Sequence, residues 1–288
     1  MLPPARASGK RPRVTSPAPA QHPPDALSRP AALVRRHDPD RFLTALFAPA
    51  ERREALLLLY AFNHELARAR EAVSKPTLAL VRLQWWREVV AGAVRHHDVA
   101  EPLAAALASG TLPRDALLGL IEAREIETEP AIPDRAAWRD YLLGTAGALA
   151  VLAGGILDAP ASVRERLALL GAAYGVAGTL RSLAAQARLG RCLLPADALA
   201  EHGLSVEGVI AAPEAPALGG VFEALAAEGR EMLREAGSLR LPRRAIAAAL
   251  PAVLARRDLR QPGPAPRARG LADRLAVAAA AFRGEIGP

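Results

Sequence analysis

The side chains able to do chemistry are few, and their spacing closes off several familiar reactions. The six histidines are His22, His37, His64, His96, His97 and His202. None forms an H-x3-H pair and none sits in H-E-x-x-H, so no zinc site is expected. No G-x-x-x-x-G-K-[ST] run occurs, which removes a P-loop nucleotide site. The glycines at 144, 147, 154 and 155 follow no strand, so they make no dinucleotide fingerprint. Cys192 has no histidine near it in sequence and reads as a structural thiol. Two segments stand out instead. The first runs Tyr60-Ala61-Phe62-Asn63-His64-Glu65-Leu66-Ala67-Arg68-Ala69-Arg70-Glu71, and the second runs from Thr179 to Pro195. Tyr60, His64, Ala67 and Glu71 recur at steps of four, three and four, which puts them on one helical face. In the second segment Arg188 and Arg191 are candidates for an anion site, against the plainer reading of solvated helix ends.

The elements that must position these residues are helices. Of 288 residues, 66 are Ala and 44 are Leu, both strong helix formers, while aromatics make up only 4%. So little Val, Ile, Thr, Tyr and Phe argues against sandwiches and barrels. One cysteine excludes a disulfide scaffold and any cluster held by several thiolates. From about residue 31 the pattern reads helix after helix, over 40–47, 49–73, 77–95, 101–108, 113–127, 134–157, 160–188, 220–236 and 242–258. Leu59, Phe62, Leu66, Ala69 and Val73 form a buried stripe, and Leu80, Leu83, Trp86 or Arg87, Val90 and Val94 fall along one side of the next helix. Trp85 and Trp86 read as core aromatics. The stretch 209–219 reads as a loop and 261–270 as a linker. Leu271, Leu275, Ala278 and Phe282 then mark a short terminal helix. The uncharged runs Tyr141–Leu157 and Leu167–Leu180 fit buried central helices better than membrane spans, because the longer is only 17 residues and carries four glycines.

The formal charge is +7, and residues 1–30 hold +4 of it together with eight prolines. That segment is expected to be a disordered basic tail on a near-neutral helical domain over 31–260, followed by the linker and terminal helix of 261–288. With the basic residues not clustered on the folded part, nucleic acid is not an expected partner. Weak attraction to anionic membrane surfaces is the main competing reading of the charge. The tail lacks the apolar core of a secretory signal, so the expected location is a reducing cytoplasm, with peripheral contact at the inner membrane as its variant.

The two segments resemble the motifs of the squalene/phytoene synthase family. There the first reads YAFCRxxDDxxD and the second LRDxxEDxxxGRxYLP, with a small-residue helix between them where this chain has Tyr141-Leu142-Leu143-Gly144-Thr145-Ala146-Gly147. The resemblance covers about residues 35–260, and Leu180-Arg181, Gly190-Arg191 and Leu194-Pro195 hold the family spacing. It implies an all-α, isoprenoid-synthase-like bundle with a central cavity lined by residues around 60–71, 141–147 and 178–186. Enzymes of that family join two prenyl diphosphates, and Mg2+ held by paired carboxylates at i and i+4 neutralises the leaving group. Here the paired positions are Ala67 and Glu71 in the first segment and Ser182 and Gln186 in the second, so only Glu71 is acidic. Arg68 and Arg181 add positive charge beside them.

Within the family, Ala61-Phe62-Asn63-His64-Glu65-Leu66-Ala67 and Arg82-Leu83-Gln84-Trp85-Trp86-Arg87 are most similar to the branch containing the mitochondrial complex I assembly factor, which also lacks the aspartates. The resemblance implies a non-catalytic protein without cofactor that helps build respiratory NADH:quinone oxidoreductase. It would act through contacts with a subunit or an assembly intermediate, or by holding a lipid or isoprenoid chain in the cavity. The alternative is an active Mg2+-dependent prenyl transferase, for which Glu65, Glu71 and Glu88 are the nearest acids. Glu65 is poorly placed, about 160° around the helix from Ala67.

Overall fold

The computed structural model describes residues 27–71, 75–264 and 267–287. The expected basic tail lies, up to residue 26, outside them, as does Val73; its last residues are not disordered, because Ser28 caps a helix that begins at Arg29. The chain is all-α. Ser28 and Asp38 start the first two helices, α1 (Arg29–His37) and α2 (Pro39–Ala45), each by accepting a hydrogen bond from a backbone amide three residues on. The long α3 (Ala50–Glu71) follows, then α4 (Pro76–Ala91), α5 (Ala100–Ala108) and α6 (Arg114–Glu122). A 3-10 turn at Glu125–Thr128 leads to α7 (Arg135–Leu142), capped by Asp134. A π-turn at Leu143–Gly147 joins α7 to α8 (Ala148–Ile156), making one bent rod of the expected 134–157 helix.

Next comes α9 (Arg164–Arg188), the centre of the bundle, packed by α7, α8, α12 (Gly219–Ala236) and α13 (Pro251–Leu259). Two short helices, α10 (Ala196–Glu201) and α11 (Val206–Ala211), fill the space between α9 and α12 in the chain. By length and composition the stretch 161–188 is apolar enough to cross a membrane, yet its Leu167, Leu170, Ala172, Val176 and Leu183 are buried against the surrounding helices. The last helix, α14 (Leu271–Arg283), lies on α13. After it β2 (Glu285–Ile286) pairs antiparallel with β1 (Leu239–Arg240).

Three expected boundaries move. The helix expected over 77–95 stops at Gly92, which adopts φ 116°, so Val94 leaves the stripe and is exposed. The helix expected over 242–258 begins only at Pro251, because proline fits the first turn and not the interior. Part of the expected 209–219 loop is helical, as the end of α11 and a 3-10 turn at Pro216–Leu218.

Small residues let α9 approach the bent rod closely. A Cβ at Gly171 would stand 2.4 Å from the carbonyl oxygen of Ala146 and 2.7 Å from the Ala150 Cβ. Gly119 on α6 has open space instead. Gly171→Ala is therefore expected to destabilise by about 1–3 kcal/mol through overpacking. Gly119→Ala is expected to stabilise by about 0.5–1 kcal/mol by removing backbone freedom from the unfolded chain. Urea unfolding of the two variants checks both signs.

Candidate functional site

Six of the eight motif positions meet at one cavity of about 320 Å³. His64, Ala67 and Glu71 come from α3, Tyr141 from α7, and Ser182 and Gln186 from α9. Steps of three and four on each helix bring each set to a common face, so the cavity follows directly from two helical repeats turned toward each other. Tyr60 lies deeper, against a small adjoining space, with the Arg41 guanidinium 5.6 Å from its ring centre. Arg181 turns away: it donates to Asp258 Oδ1 at 3.3 Å and to the Arg267 carbonyl at 3.0 Å. Its charge therefore acts at the α13 end of the bundle. Arg188 is exposed.

A chain of hydrogen bonds crosses the cavity end where the family motifs carry their acids. Gln186 Nε2 donates to Glu71 Oε1 at 2.9 Å. Gln186 Oε1 accepts from Arg191 Nη1 at 2.9 Å, and Arg191 Nη2 donates to Glu127 Oε2 at 2.9 Å. The other Glu127 oxygen accepts from Arg124 at 2.6 Å and from the Tyr141 hydroxyl at 2.8 Å. Arg124 also donates to Asn63 Oδ1 at 3.0 Å. Arg191 is thus no solvated helix end; it is buried and paired.

The electrostatics follow from burial. Desolvation alone would raise the Glu127 carboxyl, but the guanidiniums of Arg124 and Arg191 and the bonds from Arg124 and Tyr141 hold it below its ordinary value. Burial, reinforced by the Glu127 charge, pushes the Tyr141 hydroxyl well up, so it remains a donor. At the opposite rim His37 stacks on His64 with ring centres 4.6 Å apart. Burial and then the His37 ring lower the His64 pKa, and His64 Nε2 is buried without a hydrogen-bond partner. Burial likewise raises the Cys192 thiol, as a structural cysteine requires.

The squalene/phytoene synthase family matches residues 34–273. The chain belongs to that family. A dehydrosqualene synthase has a similar fold, with TM-score 0.71 at 14% identity over 88% of this chain and 94% of that one. A squalene synthase from Alicyclobacillus acidocaldarius gives TM-score 0.57 at 18% identity, covering 88% and 92%. In sequence the chain is similar to NADH dehydrogenase (ubiquinone) complex I, assembly factor 6. The identity is 29% over 181 residues for Homo sapiens, 61% of this chain and 54% of that protein. For Rattus norvegicus it is 30% over 190 residues, 64% and 57%. The chain thus spans little more than half the length of these relatives.

The donor set does not fit the family's magnesium cluster. Among the described residues no three His, Cys, Asp or Glu side chains are grouped to hold a metal ion. A methyl group stands at Ala67, and the Ser182 hydroxyl donates to the Thr179 carbonyl at 3.3 Å. Glu71, the one acid left, accepts from the carboxamide of Gln186. A hard dication prefers several anionic oxygens, and this end of the cavity offers it amide and guanidinium donors instead.

Sequence reasoning missed Arg124 and Glu127 entirely, and gave Asp38 and Arg41 no site role. Arg41 pairs with Asp38 at 2.8 Å and lies 4.7 Å from the Tyr174 ring centre. The only signal for Glu127 is an apolar-flanked acid, in Glu125-Ile126-Glu127, between two helices. Removing it leaves two buried guanidiniums without an anionic partner, held only by Asn63 and Gln186. Glu127→Ala is expected to cost about 3–5 kcal/mol. Glu125→Ala, at the half-buried pair with Arg87, is expected to cost less, about 1 kcal/mol. A carboxyl whose pKa falls on folding contributes fully above its unfolded value of about 4.3 and loses that contribution as pH falls through its folded value. Stability should therefore drop in that acid range for the wild type, and less steeply for Glu127→Gln. Urea unfolding as a function of pH reads the difference.

Proposed function

We propose that this protein is a non-catalytic member of its family that acts in the assembly of respiratory NADH:quinone oxidoreductase. One observation carries the reading: the carboxylates that line the cavity, Asp38, Glu71 and Glu127, are already engaged by Arg41, Gln186, Arg124 and Arg191. Ionising a prenyl diphosphate needs cations brought to the leaving group, and nothing at this end of the cavity is built to chelate them. The relatives named as complex I assembly factors support the destination.

The partner on this reading is a subunit or an assembly intermediate of that complex, met in the cytoplasm at the inner membrane. The cavity, at about 320 Å³ near the lower end of the ligand-pocket range, holds the polar head of a lipid or isoprenoid. Thr145, Thr179 and Asn63 line it as neutral hydrogen-bonding groups.

Incubation of the purified protein with Mg2+ and farnesyl or geranylgeranyl diphosphate should release no pyrophosphate above background. Saturable release would establish the prenyl transferase alternative. A deletion strain should show reduced NADH:quinone oxidoreductase, and normal levels of the complex would count against the assembly role. The combined variant Ala67→Asp, Ser182→Asp, Gln186→Asp should gain Mg2+ binding by titration calorimetry. No gain would place the cause of the lost metal elsewhere in the cavity.

A further inference from the structure

The terminal helix presents an apolar stripe to solvent. Leu271, Leu275 and Phe282 are 71%, 60% and 73% exposed, at positions i, i+4 and i+11, with Ala278 between them at i+7. These are the residues that mark the helix in the sequence, but they are not its buried face. That face is Asp273, Val277, Ala280 and Ala281, turned onto the bundle. Scattered exposed leucines are ordinary, whereas an aligned row ending in a phenylalanine is not.

The stripe adjoins a groove. Phe42 and Leu43 of α2, Leu46 just after it and Leu254 of α13 line a cleft of about 280 Å³, together with Arg35 and Arg274. Leu46 is itself 48% exposed. The free charge of the groove is positive. Arg35 and Arg274 line it, are exposed and make no ion pair among the described residues, and Arg283 is exposed farther along the same helix. The two acids of the groove are already spent on other arginines. Asp40 accepts from Arg269 at 2.7 Å, and Asp273 accepts from Arg257 at 2.6 Å and Arg267 at 2.5 Å.

We infer that this face docks on an anionic lipid surface, with Leu271, Leu275 and Phe282 entering the headgroup boundary and Arg35 and Arg274 meeting lipid phosphates. Charge selects this occupant. A two-fold contact with a second copy would set the same arginines against each other. The chain's own residues 1–26 are basic as well, so the rim repels them. An apolar stripe edged by cations is the pattern that lies in an anionic interface. The inference deepens the placement at the membrane made in that reading, and it is independent of the assembly role itself.

The test is co-sedimentation of the full chain with vesicles of phosphatidylglycerol and phosphatidylcholine in equal parts, compared with phosphatidylcholine alone. Binding should require the anionic lipid and weaken with salt. Leu275→Ser with Phe282→Ser should weaken it by at least about tenfold. Arg35→Gln and Arg274→Gln should each weaken it roughly fivefold. The thermal midpoint should not move, because all four side chains are exposed; Leu271→Ser serves as a second variant if it does. Residues 1–26 are identical in every variant, so undiminished binding by the double serine variant would assign the affinity to that basic segment and overturn the inference. Equal binding to pure phosphatidylcholine would overturn it too, as would a dimer that the serine substitutions dissolve. Complex levels in the deletion strain report on the assembly role separately.

Discussion

Glu127 sits between two guanidiniums in a place where none of the three charges reaches water freely. That constraint organises the site. A buried carboxylate is tolerated only when its lone pairs are filled, and Glu127 fills them from Arg124, Arg191 and Tyr141. Each partner belongs to a different part of the chain. Arg124 ends the region after α6 and reaches Asn63 on α3, Tyr141 stands on α7, and Arg191 follows α9 and orients Gln186. Gln186 in turn fixes Glu71. The cavity end is thereby cross-linked by hydrogen bonds where family relatives with paired acids would gather metal. Helix faces that lack the acids for a dication are still held together, and the bundle keeps its family shape.

A second set of arginines does comparable work at the other end. Arg269 places one guanidinium across Asp40 of α2 and Asp258 of α13, at 2.7 Å to each. Arg257 and Arg267 flank Asp273 at the start of α14. Arg181, a residue of the second motif, reaches Asp258 here. A forked, planar donor suits this bridging, because it meets two carboxylates without changing geometry. The terminal helix is fastened along its buried side by these contacts, which leaves its other side free.

Much of this was legible from residue order. Helical repeats are local, so the common face of His64, Ala67 and Glu71 and that of Ser182 and Gln186 could be read from spacing alone. The motif spacing then brought the two faces together. The absence of paired acids was legible for the same reason. What spacing cannot encode is the partner across the bundle. Arg124 and Asn63 are 61 positions apart, and Arg191 and Glu127 are 64. Arg181 was placed beside the cavity because its neighbour Ser182 is there, but adjacent helical positions point about 100° apart and its side chain leaves on the far side. Gly92 signals the early stop of α4, but the apolar spacing runs on past it to Val94 and hides the signal.

Lys10 and Lys75 are the chain's only lysines, so nearly every cation it owns is a guanidinium. In the cavity the bases paired with acid are Arg41, Arg124 and Arg191, whose protons stay in place through any alkaline range a cell meets. Tyr60, Tyr141 and Tyr174 are all shifted upward by burial and keep theirs as well. Among these arginines and tyrosines base therefore finds no group to discharge.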